Sequence, residues 1–101
     1  GGASVGATNG GGCSALFIAC EEGHVDCARL LLEASAAVNQ ADDGGFTPLY
    51  MASEKGHLEI VRVLVEASAA VDQANTRGTT PLYIACQEGH VDIARLLLEA
   101  G

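Results

Sequence analysis

Aromatic side chains are scarce in this chain of 101 residues, which has no Trp, two Phe and two Tyr. Hydrophobic residues nevertheless make up 49% of the sequence. A core with so few rings must be filled to the usual packing density by aliphatic side chains. The composition therefore predicts a core of Leu, Val, Ile and Ala.

Basic residues are also few, since 5 Lys and Arg stand against 13 Asp and Glu and the formal net charge is -8. A surface of this sign repels polyanions, so we expect no nucleic-acid partner and no binding to an acidic membrane. The sequence lacks any apolar run of about 18 residues, the length typical of a membrane-spanning helix. Its Gly-rich start also lacks the charged and apolar regions of a signal peptide. We therefore expect a soluble, intracellular protein of the cytoplasm.

An internal repeat organises the chain. Thr47-Pro48 recurs 33 residues later as Thr80-Pro81, and a Gly-His pair recurs at 23–24, 56–57 and 89–90. This register divides the chain into units 2–34, 35–67 and 68–100, with residues 1–12 as a Gly-rich leading loop.

The last unit predicts two helices. Thr80 is a good N-cap, Pro81 suits the first helical position, and Gly89 can end the helix in a left-handed conformation. A second helix is predicted from Val91 to Ala100, with apolar residues over far more than one stripe. Such a helix must pack against its partner helix and against neighbouring units as well.

Segments rich in Asp, Asn and Gly separate the helix pairs and predict tight turns. Short extended stretches around Val38 and Val71 would make each of these loops a projecting hairpin. Helix, helix and hairpin, repeated along the chain, predict a solenoid whose units touch only their neighbours.

These residues carry a family resemblance. The stretch TPLYMASEKGHLEIVRVLVEASAAVDQA resembles the ankyrin repeat, whose pattern is G-x-TPLH-x-A, then GH, then a Leu-rich helix and G-A-x-V-N. The resemblance covers the whole chain. It implies one all-α domain over 1–101, an ankyrin-repeat solenoid of stacked antiparallel helix pairs with projecting β-hairpin loops, used to bind other proteins.

The chain departs from the family pattern at two motif positions. The His of TPLH is Phe17, Tyr50 or Tyr83 here, so the hydrogen bonds of that His are absent or are remade by a phenol. The Gly that usually follows the second helix is Ser35 or Ser68. We expect these serines to be left-handed, at a cost of roughly 1–2 kcal/mol each.

Residues that suggest chemistry have simpler structural roles. His24, His57 and His90 are one position repeated at intervals of roughly 8–10 Å, too far apart to share a zinc ion, and we expect them to bond to loop backbone. The adjacent acids at 21–22 and 42–43 lie on predicted exposed turns without a pocket. We therefore expect no catalytic residues, metal or cofactor, and no enzyme.

The four cysteines are expected to be free thiols. Cys20 and Cys86 occupy one repeat position two units apart, which is too far for a disulfide. We expect Cys20, Cys27 and Cys86 to face inward as small hydrophobes, and Cys13 to be the thiol that a reagent reaches first.

Three of the five basic residues also occupy one repeat position, at Arg29, Arg62 and Arg95. Each has an acid three residues before it and another four residues after it. These spacings predict ion pairs along the back of the solenoid.

Positions that vary between the copies indicate a surface turned outward. In ankyrin proteins the corresponding positions line the concave binding surface, so the resemblance implies a protein-binding role for them, with neutral drift as the alternative. Phe46 is the strongest candidate for an apolar anchor, and packing on its own hairpin is its alternative role. The candidate residues are Asp43, Phe46, Met51, Glu54, Lys55, Thr76, Arg77, Thr79, Ile84, Gln87 and Glu88.

The last helix is as apolar as the internal ones, so at least one end of the stack should be adhesive. We expect a non-catalytic module that binds a protein partner and belongs to a longer ankyrin array. One alternative is a structural element that self-associates end to end through uncapped ends. Another is a set of repeats that regulates an enzyme elsewhere in a longer chain.

Overall fold

The computed structural model describes residues 3–101, and its helices form three consecutive pairs. Gly1 and Gly2, with which the predicted leading loop begins, lie outside the described residues. The helices are α1 Ala15–Glu22, α2 Val25–Glu33, α3 Pro48–Lys55, α4 Leu58–Glu66, α5 Pro81–Gln87 and α6 Val91–Ala100. The predicted all-α solenoid is confirmed, whereas the division into units 2–34, 35–67 and 68–100 stays a prediction.

The first helix of each pair begins at a residue whose side chain caps the helix N-terminus. The Thr47 hydroxyl accepts a hydrogen bond from the Tyr50 amide at 3.0 Å, and Thr80 caps α5 in the same way. Ser14 does so for α1, although the first pair lacks the Thr-Pro motif. Each cap satisfies an amide that the helix itself cannot pair.

Left-handed residues end the helices where the sequence predicts them. Gly23 and Gly56 follow α1 and α3 with φ angles of 84° and 81°. Ser35 and Ser68 follow the second helices with φ angles of 70° and 68°. The expectation that these two serines are left-handed is therefore confirmed.

The connecting loops are tight turns, and the extended stretches predicted around Val38 and Val71 are wrong. Within residues 3–101, antiparallel pairing outside the helices is limited to an isolated bridge between Thr8 and Ser14. Val38 and Val71 lie in turns that bring their side chains against the core. Burying an aliphatic side chain there favours the turn over an exposed strand.

Successive pairs stack in two rows. The first helices α1, α3 and α5 contact one another in sequence, as do the second helices α2, α4 and α6. The core between the rows is aliphatic, with Leu16, Leu49 and Ile60 nearly inaccessible to solvent. The predicted aliphatic core is confirmed, and the stack measures 42 × 26 × 20 Å.

The histidines link neighbouring pairs. Nε2 of His57 lies 3.1 Å from the Glu21 carbonyl oxygen, and Nε2 of His90 lies 3.0 Å from the Glu54 carbonyl oxygen. Because a carbonyl oxygen only accepts, the imidazole donates in both bonds. The expected bond to backbone is confirmed for both, but the acceptors lie at the ends of α1 and α3, so the expectation of a loop partner is wrong.

The cysteine predictions are wrong for Cys27, Cys86 and Cys13. All four thiols are free, and Cys20 is fully buried as expected, but Cys27 and Cys86 are exposed and Cys13 is half-buried. A side chain at one of these inward positions is shielded from solvent only where the neighbouring helix pair packs against it. Cys27 belongs to the first pair and Cys86 to the last, and each lies on the uncovered side of its pair.

The arginine ion pairs are partly as predicted. Arg62 pairs with Glu59 at 3.6 Å and Arg95 with Asp92 at 3.9 Å, each three residues apart. Arg29 instead pairs with Glu59 of the next helix pair at 3.3 Å. The ion pairs of the described residues include none with the acids four positions later, which are Glu33, Glu66 and Glu99.

Candidate protein-binding groove

The loops that precede α3 and α5 contain the same pattern of hydrogen bonds from backbone to a side chain. The Asp42 carboxylate accepts hydrogen bonds from the amides of Gly44 at 3.0 Å and Phe46 at 2.9 Å. Asn75 accepts the equivalent bonds from Arg77 and Thr79. Such bonds add to the backbone bonds across each turn, in which the amides of Asp42 and Asn75 donate to the carbonyl oxygens of Phe46 and Thr79, and they hold each turn in one conformation.

The two turns are also tied to each other. The Thr76 amide donates to the Gly44 carbonyl oxygen at 3.1 Å, just as the Asp43 amide donates to the Gly11 carbonyl oxygen at 3.0 Å. The loops therefore stack in step with the helix pairs and form a continuous edge.

An open groove of about 630 Å³ runs between this edge and the helices α3 and α5. Its lining residues are Gly44, Phe46, Tyr50, Glu54, Asn75, Thr76, Arg77, Thr79, Tyr83, Ile84 and Gln87. The groove combines an aromatic floor with polar and charged walls, the usual composition of a site where a few residues provide most of the binding energy.

Phe46 and Tyr50 form the aromatic floor. Their ring centroids lie 5.0 Å apart at an interplanar angle of 62°, an edge-to-face arrangement that contributes roughly 0.5–1.5 kcal/mol beyond burial. Gly44 permits this, since a Cβ atom there would lie 2.8 Å from Cε2 of Phe46. The alternative role given to Phe46, packing on its own loop, is therefore observed, and its role as an anchor stays a prediction.

The electrostatic potential at the floor is negative. Burial raises the pKa of the Tyr50 phenol, and the nearby carboxylates of Glu54 and Glu88 raise it further. Both carboxylate effects indicate a negative potential, because they oppose ionisation of the phenol.

Seven of the eleven candidate residues lie together in the groove. They are Phe46, Glu54, Thr76, Arg77, Thr79, Ile84 and Gln87. Asp43, Lys55 and Glu88 are exposed but lie outside its lining. Their part in binding stays a prediction, as does that of the seven.

Met51 and Ile84 were expected to face solvent, and that expectation is wrong. Their exposed fractions are 8% and 4%. Both belong to a cluster with Phe17 and Tyr50. They occupy one repeat position on the side of the first helix that meets the preceding pair, so their variation reflects repacking between pairs.

Sequence reasoning missed both tyrosines of the groove. Tyr50 and Tyr83 share the repeat position of the missing His, where we expected the loop hydrogen bonds of that His to be absent or remade by a phenol. Tyr50 is 5% exposed, whereas Tyr83 is 62% exposed. The sequence signal that could have identified them is an aromatic residue at a repeat position that faces the loops.

Two further features are absent from residues 3–101. No cluster of three or more His, Cys, Asp and Glu side chains has the geometry to hold a metal ion there. None of the helices in this part of the chain combines the length and the apolar character needed to cross a bilayer.

Comparison with protein families agrees with the geometry. A family model described as ankyrin repeats in 3 copies matches residues 1–75, and a model of the single ankyrin repeat matches residues 77–101. Comparison with curated proteins gave no significant match. The chain therefore belongs to the ankyrin-repeat family, which generally serves in protein interaction and is typically non-catalytic.

Proposed function

We propose that this chain is a non-catalytic interaction module that binds a protein partner in the groove between α3, α5 and the stacked turns. The observation that carries the proposal is the groove of about 630 Å³ itself, whose floor is the edge-to-face pair of Phe46 and Tyr50 and whose rim includes Tyr83. Aromatic residues on a concave surface are typical of binding hot spots.

The charge of the groove indicates the chemistry of the partner. Glu54 lines one wall, and Glu88 lies close enough to raise the pKa of Tyr50. The whole chain has a net charge of -8. A partner segment with an apolar side chain flanked by basic residues would complement this surface. Arg77, at the other wall, can donate hydrogen bonds to a carboxylate of the same segment.

Two groove variants test the proposal. Phe46→Ala and Tyr83→Ala remove the floor and the rim, while Glu66→Ala removes an exposed side chain from α4, in the other row of helices. Proteins captured from lysate by the parent chain are identified by mass spectrometry, and each candidate is then purified and titrated against all four chains.

We expect both groove variants to raise the dissociation constant at least tenfold, about 1.4 kcal/mol, with Glu66→Ala unchanged. Affinity should also fall as salt increases, because the attraction is between opposite charges. Equal affinities for all four chains would contradict binding in the groove, and affinity independent of salt would contradict the basic partner.

A further inference from the structure

The Tyr50 hydroxyl lies on the floor of the groove without a hydrogen-bond partner in the described residues. The residue is only 5% exposed, so its ring is held in one place. Full burial of a side-chain polar atom without a partner occurs in this part of the chain only at the Ser53 hydroxyl. Solvent must therefore reach the Tyr50 oxygen, and the groove that Tyr50 lines is the opening. A fixed polar atom of this kind is available to a ligand.

Two carboxylates lie near this hydroxyl. Glu54 is half-buried near the end of α3 and lines the groove, and Glu88 directly follows α5. Burial raises the pKa of the Tyr50 phenol, and these two carboxylates raise it further, so both are close to the phenol. The ion pairs of the described residues all belong to the three arginines of the second helices. A half-buried carboxylate without a counter-charge favours a cation from outside the chain.

Backbone contacts fix both acids at the junction of the middle and last pairs. The Glu54 carbonyl oxygen accepts the hydrogen bond of His90, at the start of α6. The Glu88 amide donates to the Ile84 carbonyl oxygen at 3.0 Å, and Ile84 packs in one cluster with Tyr50. The hydroxyl and the two carboxylates therefore meet between two pairs that are both described, and no further pair is needed to bring them together.

The other junction of the stack has a neutral set at the same repeat positions. The residues 33 positions earlier, between the first and middle pairs, are Phe17, Glu21 and Lys55. This earlier set has no hydroxyl, and its acid and its base cancel in charge. The set with Tyr50 has a hydroxyl and two acids. A lysine of the chain thus stands at the position that Glu88 takes in the second junction, where a cation is lacking.

Arg77 does not neutralise the acids. It lies on the turn before α5, whereas Glu54 and Glu88 lie at the opposite ends of α3 and α5. Since α5 has 7 residues, it separates the two ends of the groove by about 10 Å. The charges that act on the Tyr50 phenol are accordingly both negative.

An ammonium group suits these acceptors better than a guanidinium group. The ammonium of lysine has donors in three directions, and the oxygen atoms here belong to separate side chains on two helix pairs. A guanidinium group is planar and binds best to both oxygens of one carboxylate. The apolar stem of a lysine can also lie along the rings of Phe46 and Tyr50 while its charge stays near the acids.

We propose that Tyr50 and Glu54, with the charge of Glu88 beside them, form a subsite for the ammonium group of a lysine side chain of the protein partner. The inference rests on the proposed function, because it names the partner residue that this part of the groove selects. The Tyr50 hydroxyl accepts a hydrogen bond from the ammonium, and the carboxylates supply the opposite charge. Tyr50 is therefore a specificity-determining residue.

Random peptides displayed on phage are the probe. Peptides selected on the parent chain are sequenced, synthesised and titrated against it. Each lysine is then replaced by norleucine, which keeps the apolar stem without the ammonium, and by arginine, which keeps the charge. On the protein, Tyr50→Phe removes the hydroxyl alone and Glu54→Gln removes one charge at constant size. Glu66→Gln makes the same change at an exposed position of α4, in the other row of helices, and is the matched control.

We expect the selected peptides to contain a lysine whose replacement by norleucine raises the dissociation constant at least tenfold on the parent chain and on Glu66→Gln. On Glu54→Gln the same replacement should change it about threefold or less, because the charge that the ammonium meets is gone. Tyr50→Phe should weaken the lysine peptide at least about threefold and leave the norleucine peptide unaffected. The arginine peptide should bind more weakly than the lysine peptide.

Failure of the subsite and failure of the groove give different results. Peptides that lose affinity with Phe46→Ala but tolerate norleucine at every lysine, or that contain no lysine, would overturn the subsite and leave the groove in place. Equal binding of lysine and arginine peptides would overturn the choice of an ammonium group. Peptides indifferent to Phe46→Ala, or a selection that yields no peptide, would overturn the groove and the subsite with it.

The stability of Tyr50→Phe checks the premise without a peptide. Because the hydroxyl has no partner within residues 3–101, its removal should leave the midpoint of urea denaturation unchanged or raise it. A lower midpoint would show that the hydroxyl is satisfied inside the protein, and the subsite would lose its acceptor.

Discussion

At the scale of single residues, the backbone at Ser35 and Ser68 has φ angles of 70° and 68°, a region in which a Cβ atom is strained. Each serine is held there by the end of a helix. The Ser68 amide donates to the Val65 carbonyl oxygen at 2.9 Å, and the next amide donates to Leu64 at 3.0 Å. These bonds satisfy carbonyls of the last turn, so the strain is offset by hydrogen bonding.

Ser68→Gly should therefore stabilise the protein. Removal of the strain gains roughly 1–2 kcal/mol, and the greater freedom of glycine in the unfolded chain takes back about 0.5–1 kcal/mol. We expect a net gain of about 0.5–1 kcal/mol in the free energy of unfolding, measured by urea denaturation. Ala67→Gly, at the neighbouring residue with a φ of -85°, is the control and should destabilise; a loss of stability in Ser68→Gly would contradict the argument.

The local environment of each cysteine also explains the reactivity that we expect of its thiol. Burial raises the pKa of Cys20 to about 12. The pKa of Cys13 is also raised, mainly by burial and next by the nearby carboxylate of Asp42. The thiolate is the reactive form, so both shifts lower reactivity near neutral pH. The first thiols to react should therefore be the exposed Cys27 and Cys86, contrary to the expectation for Cys13.

At the scale of the elements, the short first helices depend on their caps. Helices of 7 or 8 residues are well below the length at which an isolated helix is stable in water. Their stability comes from capping at the start and from packing between neighbouring pairs. The cap of α3 is the most protected, because Thr47 is only 1% exposed.

Thr47→Ala should consequently cost about 1–2 kcal/mol in the free energy of unfolding, since the Tyr50 amide would be left without an acceptor. Urea denaturation monitored by circular dichroism measures the loss. Thr47→Ser keeps the hydroxyl and removes only the methyl group, so it should cost less. Equal losses in the two variants would show that packing of the methyl group, and not the cap, is the larger contribution.

At the scale of the whole molecule, stability is distributed along one axis. The middle pair is covered on both sides, and its Ile60, Val61 and Leu64 are all fully buried. Each outer pair has one uncovered face. In a stack whose units contact only their neighbours, the ends open at lower free energy than the middle.

Amide hydrogen exchange in dilute solution should reveal this gradient. We expect the slowest amides of α3 and α4 to exchange at least tenfold more slowly than the slowest amides of α1, α2, α5 and α6. Mass spectrometry of peptides from each helix measures the rates. Uniform exchange over all six helices would indicate that the stack opens only as one cooperative unit.

Much of the local structure could be predicted from single residues. The caps at Thr47 and Thr80 and the left-handed Ser68 follow from short-range chemistry that a motif of a few residues specifies. The part of the groove that was predicted came from positions that vary between the copies. The part that was missed, Tyr50 and Tyr83, needed the knowledge that one side of the first helix faces the loops.

The sequence by itself determined the period, the helix pairs, their ends and the aliphatic core, because each depends on residues close together in the chain. Only the tertiary structure decided which copies of one repeat position are buried. Cys20 and Cys86 occupy the same position, yet one is buried and the other exposed. The physical reason is that burial depends on whether a neighbouring pair covers that side, and an identical local sequence has a different neighbour at the end of a stack than in its middle.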